Sequence, residues 1–208
     1  MSKLFNELTS DLRDDEQWEK LTSINNNWKK DTIFHKYHKL GNKQKGTLGE
    51  YFVERLMKKQ GYNVTPPTHT DHDRTINGLK VEIKTSLAVS ETKTLKGKPP
   101  ASRIIKDKFI FNHIAIHKDW DRLLFCCVNP DPSWGNMHIR RGDKLPHERL
   151  RVYYMDKADF SNYMATTPVE ERIFKYQQGG KKGGNDDYVC SDLHKLIELP
   201  FVRHIDEW

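Results

Sequence analysis

Apolar residues recur at helical spacing through residues 3 to 21, where Leu4, Leu8, Leu12, Trp18 and Leu21 form one stripe, so this stretch is expected to be a helix. Ser23 to Asn27 is a polar break, and residues 28 to 40, rich in Lys and His, are expected to form a second helix. A third is expected from Thr47. The run Thr47-Leu48-Gly49-Glu50 has the form of a capping box, in which the Thr hydroxyl and the Glu three residues on satisfy free backbone amides. Leu48, Phe52, Val53 and Leu56 then give one apolar face, and Gly61 supplies a stop.

Beyond Gly61 the period changes from helix to strand. Tyr62 to Thr65 reads as a short strand ended by Pro66-Pro67. Asn77-Gly78 is a strong two-residue hairpin signal between Asp73 to Ile76 and Leu79 to Lys84. In the second strand Leu79, Val81 and Ile83 share one face, and Lys80, Glu82 and Lys84 share the other. Residues 90 to 108 read as a basic loop interrupted by Pro99-Pro100. Strands are expected at Phe109 to His117 and at Arg122 to Val128. The second is nearly all apolar, as a strand buried on both faces should be. Met137 to Arg140 and Leu150 to Tyr154 are further short strands, Asp156 onward is helical, and Gly179 to Gly184 is a flexible basic loop. The fold class is α/β: a mixed central sheet of about four or five strands flanked by helices.

A chain of 208 residues suits one domain. Residues 1–45 read as a helical extension, 46–131 as the core, and 132–208 as the C-terminal part of the same domain. Lys and Arg number 35 against 29 Asp and Glu, a formal charge of +6 with a pI near 9.1. This balance favours a polyanionic partner, because each neutralised phosphate releases a counterion. Cys126, Cys127 and Cys190 are odd in number, and two are adjacent within an apolar run. They do not read as a disulfide framework, which points to a reducing compartment, and Cys126 and Cys127 read as core residues rather than nucleophiles. The N-terminus lacks a long apolar core and no stretch is long and apolar enough to span a bilayer. A soluble, cytoplasmic protein with no membrane partner is the expectation.

The chemistry concentrates at the hairpin. Hydrolysis of a phosphodiester needs an attacking water, neutralisation of the phosphate and help for the leaving oxygen, and Mg2+ can supply all three. Magnesium takes carboxylate oxygens with water and phosphate. Glu82 and Lys84 project from one face of their strand, and Asp73 sits at the start of the partner strand. Asp73 and Glu82 are placed to share a metal across the hairpin. Lys84 lies beside them to contact the phosphate or activate the water, and Glu50 is a further carboxylate. The competing reading of Glu50 is that it only closes its helix's capping box. Glu82 and Lys84 have their own bland reading as the solvated face of an edge strand, and Asp73 as a turn residue.

The stretch Asp73-Arg-Thr-Ile-Asn-Gly-Leu-Lys-Val-Glu82-Ile-Lys84-Thr-Ser86 resembles the signature of the PD-(D/E)xK, or restriction-endonuclease-like, nucleases. Gly-Thr-Leu-Gly-Glu50 matches the preceding helix of that pattern. Phe111-Asn-His113-Ile, followed by the apolar strand ending in Asn129-Pro130-Asp131, resembles type II restriction endonuclease-like members, many of which carry Gln in place of His113. The resemblance spans roughly residues 46 to 131. Asp73 follows His72 rather than Pro, and Asp71 competes for the first metal carboxylate.

The resemblance implies a Mg2+-dependent endonuclease (Mn2+ substituting) that acts on double-stranded DNA. It also implies a homodimer cutting a short specific site, with no organic cofactor. Asp73, Glu82 and Glu50 would be the metal carboxylates and Lys84 the catalytic lysine. Lys93, Lys96, Lys98, Arg103 and His113 are candidate DNA contacts. Arg140, Arg141, Lys144 and Arg149 are candidates for base readout, because Arg grips guanine bidentately. A repair or recombination nuclease that reads DNA shape, and a binding module that kept the fold without catalysis, are the alternatives. The pairs His69/His72 and His113/His117 lack the accompanying pattern of a zinc site, and no turn-and-helix HNH motif is found.

Overall fold

The structure is a computed structural model. It describes residues 2–21, 40–88, 90–93, 101–104, 109–128, 150–177 and 187–208, with backbone alone for 2, 90–93 and 101–104. The expected helix over 28–40, apart from Leu40, the strand at 137–140 and the Gly-rich loop at 179–184 lie outside these residues.

The N-terminal helical stretch is two helices, α1 (Ser2–Arg13) and α2 (Glu16–Leu21). The break follows from Asp15, whose Oδ1 accepts from the Trp18 amide at 2.9 Å and so caps a new helix start. The third helix, α3 (Asn42–Lys59), begins earlier than Thr47. Its N-cap is Gly41, whose amide donates to Gln44 Oε1 at 2.9 Å. Thr47 lies within the helix, its hydroxyl donating to the Lys43 carbonyl at 3.2 Å. The boundary expected at residue 45/46 therefore falls inside a continuous helix. At its far end Gly61, at φ +90°, donates to the Lys58 carbonyl, and Tyr62 donates to Met57. This is a Schellman stop.

The central sheet has six strands, one more than expected: β1 (Val64–Thr65), β2 (Arg74–Ile76), β3 (Leu79–Leu87), β7 (Arg122–Val128), β8 (Leu150–Asp156) and β11 (Arg203–His204), in the order β1-β2-β3-β7-β8-β11. β3 and β7 are parallel and every other neighbouring pair is antiparallel, so the sheet is mixed. Asn77 and Gly78 both have positive φ, 47° and 85°, which is the type I′ geometry that Asn-Gly favours.

The strand period decides which layer each residue joins. Leu124 and Cys126 of β7 face α1, α2 and α3, packing with Phe5, Trp18, Phe52, Val81 and Ile83. Leu123, Phe125 and Cys127 face the other way, into a second cluster with Phe111, Trp120, Phe160 and Leu193. β7 is thus buried on both faces, as its unbroken apolar run requires. Helices α4 (Lys157–Thr166) and α5 (Leu193–Ile197) cover this second face. A second sheet of three strands lies there too: β6 (Phe111–Ala115), β10 (Asp187–Cys190) and β9 (Lys175–Gln177), in the order β6-β10-β9. A short 3-10 helix, Ile205–Glu207, closes the chain.

The stretch 90 to 108, expected as loop, contains a two-stranded ribbon of β4 (Ser90–Lys93) and β5 (Ala101–Ile104), paired antiparallel. Pro99-Pro100 lies between the two strands rather than breaking them. The three cysteines are buried and free. Among the described residues no helix is long and apolar enough to cross a membrane.

Candidate active site

β2 pairs only with the first part of β3, with Arg74 opposite Val81. Continuing that register one step puts Asp73 across from Glu82. Here the ladder changes character. The Asp73 amide still donates to the Val81 carbonyl at 3.0 Å, but the Ile83 amide donates to the Asp73 side chain, Oδ2, at 2.7 Å. A carboxylate thus replaces a strand backbone at the point where the hairpin opens.

The opening leads into a cleft of about 400 Å³. Asn42, Lys45, Gly46 and Glu50 of α3 line one wall, and Asp73, Glu82, Ile83, Lys84 and Thr85 line the floor. Phe111, Asn112, His113 and Lys118 line the rest. All four sequence-predicted active-site residues, Glu50, Asp73, Glu82 and Lys84, therefore meet in one cleft. Asp71 is solvent-exposed and does not line it, so Asp73 is the nearer of the two aspartates. Gly49 sets the distance between α3 and the floor. A Cβ on it would lie 2.7 Å from Thr85 Cβ, so only glycine lets the helix approach β3 this closely.

The electrostatics are those of crowded carboxylates held by cations. Glu82 is 2% exposed, and its Oε1 accepts from Lys84 Nζ at 2.7 Å. Lys118 Nζ stands 3.6 Å from the same oxygen. Among the described residues, Glu82 Oε2 is buried with no hydrogen-bond partner. Burial, then the charges of Glu82 and Glu50, push the Asp73 carboxyl up to about 7, against the opposing pull of the Ile83 amide and Lys84. Glu50 is not tied to its helix's N-terminus. Instead its Oε2 pairs with Arg74 at 3.2 Å, while Arg74 Nε donates to Glu54 at 2.8 Å. Burial raises the Glu54 carboxyl, but hydrogen bonds from Lys58 and Arg74 outweigh it, so Glu54 is held below the usual carboxylate range.

The β6 wall is irregular where it meets the cleft. Tyr188 of β10 pairs with Ile114, but Cys190 pairs with Phe111, so Asn112 and His113 together oppose one residue. This is a β-bulge, a feature that re-aims side chains beside functional sites. His113 takes φ 56°, its Nδ1 lies 3.1 Å from Asp187 Oδ2, and its amide donates to Gln177 Oε1 at 3.1 Å. The imidazole is exposed at the cleft's edge.

Sequence reasoning missed Lys118, Arg74, Glu54, Asp187 and Gln177, because each acts through a contact remote along the chain. Only the helical spacing of Glu50 and Glu54 offered a signal. Of the other candidate DNA contacts, Lys93 and Arg103 sit on the ribbon, where only backbone is described. Lys96, Lys98, Arg140, Arg141, Lys144 and Arg149 lie outside the described residues.

Among the described residues, no three His, Cys, Asp or Glu side chains are arranged to hold a metal ion. Asp73, Glu82 and Glu50, expected as metal ligands, line one cleft without forming such a group. Glu82 is turned to two lysines and Glu50 to Arg74. The donor chemistry itself fits a hard divalent cation: two adjacent carboxylates, one raised by burial and then by the other's charge, and a buried carboxylate oxygen without a partner among the described residues. No protein-family model and no curated protein sequence matches the chain.

Proposed function

We propose that this protein is a Mg2+-dependent endonuclease that hydrolyses phosphodiester bonds of double-stranded DNA. In this reading its mixed sheet is a restriction-endonuclease-like core. The observation that carries the reading is the carboxylate pair Asp73 and Glu82, adjacent across an opening hairpin, with Lys84 bonded to Glu82 at 2.7 Å inside one cleft.

Asp73 and Glu82 would hold the ion, with Glu50 assisting once it leaves Arg74. Bound there, Mg2+ supplies charge neutralisation at the phosphate and a more acidic water. Lys84 then has its ammonium free of Glu82 to orient that water or bind the phosphate. Asn112 and His113, aimed by the bulge, border the path of the DNA. The β4–β5 ribbon is of a kind that fits a major groove, and its neighbourhood carries Lys93, Lys96, Lys98 and Arg103. A homodimer reading a short two-fold site follows from the type II resemblance.

The test is incubation of unmethylated phage DNA with the protein, with Mg2+ or with EDTA. Discrete fragments that need Mg2+ are expected. A smear, or cleavage only of branched duplexes, would replace sequence specificity with recognition of DNA shape. Binding without cleavage in Mg2+ or Mn2+ would reduce the protein to a DNA-binding module.

A further inference from the structure

We propose that Lys118 is a second phosphate-binding lysine of this cleft, donating to a non-bridging oxygen of the scissile phosphate alongside Lys84. The proposal rests on the nuclease reading and adds a residue to it. Lys118 Nζ lies 3.6 Å from Glu82 Oε1, beyond hydrogen-bond reach, while Lys84 takes that oxygen at 2.7 Å. Among the described residues the Lys118 ammonium has no closer acceptor. It therefore lines the cleft as an ion-pair partner of Glu82 whose donors take no hydrogen-bond acceptor among the described residues.

The backbone that carries it is fixed from several sides. The Trp120 ring is buried and donates to the Ala115 carbonyl at 2.8 Å. Asp121 exchanges two hydrogen bonds of 2.8 Å with the backbone of Lys80, and its carbonyl accepts from the Lys157 amide. Lys157 Nζ bonds the carbonyl of Lys118 itself. Lys80 Nζ pairs with Asp119 at 2.6 Å. A surface lysine that only aids solubility needs no such anchorage. Here the anchorage fixes the backbone from which the Lys118 side chain enters the cleft, where its ammonium stands 3.6 Å from a carboxylate that is 2% exposed.

The charges then dictate an exchange. With only side chains present, Glu82 attracts both lysines. Were Asp73 and Glu82 to hold a divalent cation, Glu82 would attract the lysines less, and both ammoniums would be available to a phosphate in the cleft. Two ammoniums at one phosphate match the charge that develops on its oxygens as the bond breaks.

The variants are Lys118→Met, which keeps the stem without charge, and Lys118→Arg, which keeps the charge. Duplex binding is measured over a range of salt concentrations in Ca2+, and single-turnover cleavage in Mg2+. Lys118→Met is expected to reduce the slope of log K against log salt by about 1 and to slow cleavage about 10- to 100-fold. Lys118→Arg is expected to keep the slope. A Lys118→Met slope equal to wild type would overturn the proposal and leave Lys118 as a counter-ion of Glu82, with the nuclease reading intact. If the wild type binds duplex without cutting it, the nuclease reading fails and the slope alone decides Lys118. If it binds no duplex, both fall. Should Lys118→Met melt early, Lys118→Gln carries the same comparison.

Discussion

The chain contains two Glu-x-Lys triplets, Glu82-Ile-Lys84 and Glu91-Thr-Lys93, and both lie on β-strands. Their surroundings differ entirely. The first is in β3, paired in parallel with the buried β7, facing Asp73 and backed by α3 through Gly49. The second is in β4, one half of a two-stranded ribbon whose only strand neighbour is β5 among the described residues. The first has a neighbouring carboxylate positioned by a ladder and a helix that delivers another; of the second only the backbone pairing with β5 is described. A triplet acquires chemistry from the elements that converge on it, not from its own letters.

Breaking the comparison directly gives the largest expected effect. Glu82→Gln should lower single-turnover cleavage by about 10³-fold or more, because it removes a metal carboxylate at the reacting centre. Glu91→Gln should leave the rate within about twofold. Equal losses from the two changes would make the β3 setting irrelevant.

The next effect is on stability in the metal-free protein. Asp73 is raised in the folded state from 3.8 to about 7. Between those values the unfolded chain loses its proton while the folded chain keeps it, so stability falls as pH rises through that window. Above about pH 7 the full penalty remains, on the order of 4 kcal/mol at 1.36 kcal/mol per unit. Because Glu82 and Glu50 interact with Asp73, the titration belongs to the cluster. Asp73→Asn should flatten this slope and raise the melting temperature at pH 8. Urea melts at a series of pH values check it, and an unchanged slope in the variant would contradict it.

Gly49→Ala should cost about 1–3 kcal/mol, the usual range for overpacking, since its Cβ would meet Thr85 at 2.7 Å. Urea melts check this, and a neutral substitution would mean that α3 does not hold the cleft wall at close range. The smallest expected effect is Arg74→Met, near 1 kcal/mol for part-buried ion pairs. It should also strengthen Mg2+ binding modestly, read by titration calorimetry, because Glu50 loses its competing partner.

What was legible in the sequence was local. Asn77-Gly78 encodes its own turn geometry, and the unbroken run Leu123 to Val128 encodes a strand buried on both sides. The joint spacing of Asp73, Glu82 and Lys84 followed from that hairpin. The start of α3 was misread because Thr47 is a better N-cap by type than Gly41, yet Gln44 supplies the reciprocal bond to Gly41. The misreading mattered, since it lent weight to the competing reading of Glu50 as a cap, whereas Glu50 pairs with Arg74. The ribbon at 90–104 was missed because prolines and lysines weigh against strands, while the two segments flanking Pro99-Pro100 can still pair. Lys118 and the bulge at Asn112 and His113 depend on Lys80, Lys157, Asp187 and Cys190, partners that nothing local announces.

The central claim is tested most directly by digesting supercoiled plasmid in millimolar Mg2+ with wild-type protein and with Lys84→Ala, both checked for folding by thermal melts. The account predicts that the wild type linearises or fragments the plasmid and that the folded variant leaves it supercoiled. An intact plasmid with the wild type in both Mg2+ and Mn2+, or equal cleavage by the folded variant, would contradict it.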